Sequence, residues 1–263
     1  MCVAVALLPA RAQERFITLA STTSTEQSGL FGHLLPIFRQ ATGIEVRVVA
    51  IGTGQAIAIG QRGDADALLV HDRPGEDKFV AEGHGLDRRD VMYNDFVIVG
   101  PKADPAGIRG LRDAKAAFAR IATVRAPFAS RGDDSGTHRT ERRFWTAAGI
   151  ELAGAAGWYR ELGSGMGPTL NTAAGLDAYT IADRATWAAF RNRQNLDLLV
   201  EGDPALFNPY GSILVNPAKG RIKEADARAW HEWLTSPAGS SAIAGYRIAG
   251  EQLFYPMPGR VTN

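Results

Sequence analysis

The chain has 263 residues and a single cysteine, Cys2, so no intramolecular disulfide can form. With Cys2 lost to the cleavage expected below, thiol chemistry is excluded as well. Excess charge is also missing: lysine and arginine number 29 against 28 acids. No basic patch of the kind a nucleic-acid surface needs stands out. The five histidines, His33, His71, His84, His138 and His231, are scattered, and none has metal-ligand spacing with another histidine or an acid. There is no Gly-x-Ser-x-Gly nucleophile elbow, and no repeat or low-complexity stretch. The apolar run Cys2–Ala10 is too short to span a bilayer as a helix.

That run reads instead as the end of a secretion signal. Ala10-Arg11-Ala12 fits the small-x-small cleavage pattern, which predicts a mature start near Gln13 outside the cytoplasmic membrane. No basic n-region precedes it, so the true start lies upstream or Met1 is misassigned. Removing residues 1–12 leaves equal numbers of basic and acidic residues.

What is present is hydroxyl, placed at turns. Ser130-Arg131-Gly132-Asp133-Asp134-Ser135-Gly136-Thr137-His138 precedes an amphipathic run from Thr140 to Ala148. This is the composition of a helix N-terminus that holds an anion: free N–H groups, a favourable dipole and a forked guanidinium. A second hydroxyl-rich turn, Ser21-Thr22-Thr23-Ser24-Thr25, follows the strand-like Phe16–Leu19 and precedes Leu30, Leu34, Leu35 and Phe38. Two such turns more than a hundred residues apart predict two lobes closing on one small oxyanion. Gly52-Thr53-Gly54 is a third, weaker turn. Tyr179 is a further candidate facing the cleft.

Strand-like and helical runs alternate throughout, predicting α/β lobes with largely parallel sheets and functional loops at strand C-termini. Val91–Pro101 is the longest strand candidate, able to cross between lobes. After it the rhythm restarts, with a helix over 108–119, a strand near Ile121–Val124 and a helix after the anion motif. Asp183 reads as a helix N-cap and a local partner for Arg184. Gly211–Val215 reads as a strand returning to the first lobe. The expected division is residues 13–98 with 212–263 in lobe I and 99–211 in lobe II. The five tryptophans read as core.

Four signatures in order carry a resemblance: Ser21–Thr25, Gly52-Thr53-Gly54-Gln55-Ala56, Ser130–His138, and Ala178-Tyr179-Thr180-Ile181-Ala182-Asp183-Arg184, with Gly165–Leu170 before the last. With these the chain resembles the two-lobed periplasmic solute-binding proteins of ABC importers, and within them the tungstate-binding proteins, over nearly its whole mature length. The family's first loop usually reads Thr-Thr-Thr-Ser; here Ser21 replaces the first threonine and keeps a hydroxyl. The resemblance implies a type II binding-protein fold with the ligand in the cleft. It implies an oxyanion held by Thr22, Thr23 and Ser24 from one side and by Arg131, Ser135 and Thr137 from the other. It implies a monomer that serves a membrane permease, without cofactor or metal.

The chemistry agrees. Tungstate and molybdate are unprotonated dianions that only accept hydrogen bonds, and hydroxyls, N–H groups and guanidinium all donate. The two anions have the same charge and nearly the same size, so the sequence does not rank them. Hydrogen phosphate can also donate, and Asp133 or Asp134 would be its acceptor. Sulfate is smaller and would fit loosely. A rival reading is a secreted phosphate- or sulfate-ester hydrolase with Ser135 as nucleophile, His138 as base and Asp133 orienting it.

Overall fold

The computed structural model describes residues 15–257; the expected signal segment, residues 1–12, lies outside them. Lobe I opens with β1 (Phe16–Thr22), α1 (Thr23–Gln27), α2 (Leu30–Thr42), β2 (Glu45–Ile51), α3 (Thr53–Arg62), β3 (Ala67–Val70) and α4 (Arg73–Ala81). β1 lies between β2 and β3 and is parallel to both, with Ser21 opposite Leu69. All four residues of β3 are buried, as a strand covered on both faces requires. In α2, Leu30, Leu34 and Phe38 form a buried stripe at four-residue spacing. Gly43, at φ 72°, ends that helix in the left-handed conformation that glycine adopts without a Cβ penalty.

The long strand is β4 (Gly85–Pro101). Lobe II follows with α5 (Ala114–Val124), β5 (Phe128–Ser130), α6 (Gly136–Ala147), β6 (Tyr159–Glu161), α7 (Met166–Leu176), β7 (Thr180–Asp183), α8 (Arg184–Ala189) and β8 (Leu196–Val200). The chain returns through β9 (Phe207–Val215), α9 (Glu224–Thr235) and α10 (Pro237–Gly245), then the short β10 (Arg247–Ile248), β11 (Glu251–Gln252) and β12 (Tyr255–Pro256).

β4 changes partners part-way along. Gly85 to Asp95 pair antiparallel with β9, and Phe96 to Pro101 pair with β7 and β8. The lobe I sheet runs β12-β4-β9-β3-β1-β2, and β7 and β8 branch from the far half of β4. By strand pairing the divide falls between Asp95 and Phe96 and again before Phe207, a few residues ahead of the expected 98 and 212.

Two apolar clusters sandwich the lobe I sheet. One joins Ile17, Leu19, Leu34, Phe38, Trp230 and Phe254; the other joins Ala56, Leu68, Phe79 and Ile213. Trp230 meets Phe38 edge-on at 5.0 Å, which fixes α9 against α2. Lobe II has its own two clusters, one around Phe118, Phe128 and Trp145 and one around Val97, Met166 and Leu170. The strand expected near Ile121–Val124 is instead the end of α5. Ala114, Ala117, Phe118 and Ile121 form one buried helical stripe, and that period overrides the β-branched run.

Candidate functional site

The loops after β1 and β3 are neighbours because those strands are parallel neighbours. Thr22 ends β1 and caps α1, its Oγ1 accepting from the Thr25 N–H at 3.3 Å. Across the cleft, Ser135 caps α6 by accepting from the His138 N–H at 3.2 Å. Arg131 follows β5 and is 1 % exposed. Its Nε and Nη2 donate to Asp133 Oδ2 at 3.2 and 2.6 Å, and Nη2 also donates to Thr23 Oγ1 on lobe I at 3.0 Å. The α6 N-terminus reaches lobe I too, where the Gly136 N–H donates to Thr53 Oγ1 at 2.7 Å. Gly52 permits this approach: a Cβ there would lie 3.1 Å from the Asp133 carbonyl oxygen.

These contacts set the polarity of the hydroxyls. Thr22, Thr23, Thr53 and Ser135 each accept from an N–H. A hydroxyl has one proton, so Thr23, Thr53 and Ser135, which already accept, keep theirs for another acceptor, whereas Thr22 Oγ1 has Ser24, Thr25 and His71 within 3.2 Å. On this turn four buried polar atoms lack a hydrogen-bond partner among the described residues: Ser130 Oγ, Arg131 Nη1, Thr137 Oγ1 and His138 Nε2. The arrangement can therefore bind a group that accepts many hydrogen bonds and donates none.

The nearby acids are mostly committed. Asp133 receives Arg131 on Oδ2 and the Ser135 N–H on Oδ1. Both oxygens of Asp134 receive Arg139, which holds its carboxyl below the usual range. Asp183 caps α8 by accepting from the Thr186 N–H at 2.8 Å, while its Oδ2 has no partner among the described residues. Burial raises its pKa, and the charge of Arg131 works against that rise. Arg184 pairs with Asp95 and Glu201 and not with Asp183.

Two expectations are corrected. Tyr179 does not face these groups: its ring lies in the lobe II core, and its hydroxyl donates to Asp104 Oδ1 and accepts from the Ala106 N–H, both at 2.9 Å. The Ser135–His138 pair is a capping contact through the backbone. The imidazole Nδ1 accepts from the Asp134 N–H at 3.1 Å and its Nε2 lies 3.6 Å from Glu161. A serine nucleophile and its base are not brought together there.

Residues 9–238 match the model of a PBP superfamily domain. The tungstate-binding protein TupA of Peptoclostridium acidaminophilum is 47 % identical over 245 residues, which cover 91 % of this chain and 85 % of that protein. The chain belongs to the TupA family. Among solved structures, a tungstate ABC transporter protein from Geobacter sulfurreducens superposes with TM-score 0.81 at 46 % identity, over 89 % of this chain and 100 % of that one. The tungstate-binding TupA of Desulfovibrio alaskensis G20 gives 0.78 at 42 %, over 92 % and 99 %.

Beyond the family signatures, the structure brings in residues that sequence reasoning missed. His71, just past β3, is buried with Nε2 at 3.2 Å from both Thr22 Oγ1 and Ser24 Oγ. Asp72, beside it, accepts from Arg139 at 2.7 Å and Arg143 at 3.2 Å, both on α6 of the opposite lobe. The signal for both was positional: a polar pair at the C-terminal end of a wholly apolar strand, where a parallel sheet carries its function. A cavity of about 700 Å³ lies elsewhere, beside the lobe crossings at Tyr93, Phe207 and Tyr255. Its lining is aromatic and mixed in charge, so it lacks the convergent donors of the cleft.

Proposed function

We propose that this protein captures tungstate, or its near-twin molybdate, outside the cytoplasmic membrane and delivers it as a monomer to the permease of an ABC importer. Thr22, Thr23, Ser24 and Thr53 hold the anion from lobe I; Arg131, Ser135 and Thr137 hold it from lobe II. The observation that carries this reading is the set of buried donors without partners among the described residues, Arg131 Nη1 and Thr137 Oγ1 among them, on a turn whose own acids are already bonded. A buried donor left unsatisfied is costly, and a dianion satisfies both. Family membership supports the ligand class. Among the described residues no helix is long and apolar enough to cross a membrane.

Calorimetric titration of desalted protein with tungstate, molybdate, sulfate and phosphate tests the reading. Tungstate and molybdate should bind tightly, sulfate weakly, and phosphate weakly or not at all because Asp133 and Asp134 are engaged. Tight phosphate binding would assign the free Oδ2 of Asp183 as its acceptor and overturn the ligand. Intact-mass analysis of native protein should find a start near Gln13; retention of residues 1–12 on a cytosolic product would overturn export.

A further inference from the structure

His71 is 3 % exposed and held on three sides. Its ring stacks on Tyr210 with centroids 4.7 Å apart and planes at 28°. Its Nδ1 lies 3.0 Å from Asn208 Oδ1. That amide is oriented by its other end, where Asn208 Nδ2 donates to Asn94 Oδ1 at 2.7 Å. An amide oxygen only accepts, so Nδ1 carries the ring proton and Nε2 is an acceptor. The third side is the opposite lobe: a Cβ on Gly136 would lie 3.0 Å from the ring's Cε1. The imidazole is thus clamped between β9, the N-terminus of α6 and the Thr22–Ser24 turn.

Facing Nε2 are two hydroxyls, 3.1 Å apart from each other, and one ring lone pair can take only one of their protons. Thr22 Oγ1 also lies 2.7 Å from Thr25 Oγ1, and with Thr25 donating there Thr22 is left to donate to Nε2 and Ser24 keeps its proton. We propose that His71 is the positioning residue of the anion site: its neutral Nε2 takes one proton of the Thr22–Ser24 pair and so leaves the other hydroxyl aimed at the bound oxyanion. This rests on the oxyanion reading of the cleft. The charged groups around the ring are Arg131 from the lobe II turn, Asp72 from the start of α4 and Arg143 from α6. Burial, with Arg131 adding to it, lowers the imidazole to about 4 against the opposing bond to Asn208. That shift favours the neutral ring near pH 7. The network also reaches both lobe crossings, since Asn94 lies on β4 and Asn208 on β9.

The test is calorimetric titration with sodium tungstate from about pH 6.5 to about pH 8.5, where an ordinary histidine changes charge, in two buffers of different ionisation enthalpy. Wild type should show no binding heat that depends on the buffer and no loss of affinity as pH rises. His71→Gln, whose amide oxygen can accept where Nε2 does, should stay within about threefold of wild type, and His71→Phe should lose about tenfold or more, the scale of one hydrogen bond to a charged group. The ligand-free thermal midpoint of His71→Phe checks that it folds. If it does not fold, the wild-type proton balance and His71→Gln decide. Proton uptake by wild type that vanishes in His71→Gln would make the ring a cationic ligand and overturn the proposal, as would a His71→Phe that binds like wild type or a folded His71→Gln that loses more than about tenfold. Wild-type protein that binds no oxyanion overturns the reading of the cleft and this role with it; tight wild-type binding with an indifferent His71→Phe overturns the role of His71 alone.

Discussion

The two rims of the cleft solve the same problem differently. Lobe I offers hydroxyls from Thr22, Thr23, Ser24 and Thr53 around an uncharged imidazole, and needs no counter-ion. Lobe II offers a buried guanidinium, and Arg131 is tolerated because Asp133 is bonded to it through two nitrogens. One rim therefore supplies direction and the other supplies charge. In the proposed site a single anion would use both only when the lobes meet.

The largest way to break this contrast is to remove the charge. Arg131→Ala should weaken tungstate binding by ~2–5 kcal/mol, on the order of 30- to several-thousand-fold, and lower the ligand-free thermal midpoint because Asp133 loses its partner, while the protein still folds. Binding at wild-type strength would place the anion elsewhere. Next come the neutral donors: Thr22→Ala and Thr137→Ala should each cost ~1.5–3 kcal/mol in titration. A loss as large as that of Arg131→Ala would mean that direction matters as much as charge.

A smaller effect should come from the contact that joins the rims without touching the anion. Asp72→Asn weakens its pairs with Arg139 and Arg143, which are partly exposed and so screened. We expect about a fivefold loss in affinity, on the order of 1 kcal/mol, through a less populated closed form. Small-angle scattering without ligand should show a larger radius than wild type; an unchanged radius with unchanged affinity would remove Asp72 from closure.

The smallest effect on binding, and the one that sharpens the contrast, concerns Glu141 in the lobe II core. It is 1 % exposed and accepts from Trp145 Nε1 at 3.1 Å and from the Tyr159 hydroxyl at 2.8 Å. Unlike Arg131 it has no bonded counter-ion, and burial raises it to about 7 from an ordinary 4.5. A folded pKa above the unfolded one means that the native state holds the extra proton. Its contribution is full below about pH 4.5 and is lost as pH rises through about 7. Glu141→Gln should flatten that part of the thermal midpoint's pH dependence and leave tungstate affinity unchanged. A wild-type midpoint that rises between pH 5 and pH 8 relative to the variant would reverse the assignment.

Much of this was legible in the sequence because it rests on local rules. The Ser21–Thr25 and Ser130–His138 turns carry their capping chemistry in their own residues, and the length of the strand candidate Val91–Pro101 marks the crossing strand. What was not legible depends on which strands become neighbours. His71 is a lone histidine until β3 pairs with β1, and Asp72 is only a helix start until α6 arrives from the other lobe. Tyr179 failed for a related reason: it lies just before β7, and a short segment does not reveal which way its ring turns. The strand expected at Ile121–Val124 shows that a few β-branched residues do not outweigh a four-residue apolar stripe begun two turns earlier.

The change of partners along β4 has a mechanical consequence. Between Asp95 and Phe96 the strand leaves one ladder and enters another, so a twist at that seam breaks no rung of either. The second crossing, 201–206, is a short linker containing Gly202 and Pro204 and bends without disturbing a sheet. Arg184, bonded to Asp95 at one crossing and Glu201 at the other, ties the two together, so a rotation of the lobes turns about that clamp and spares the ladders. What opposes opening is then the set of polar contacts between the lobes, Arg131 to Thr23, Gly136 to Thr53 and Asp72 to Arg139, and not either sheet.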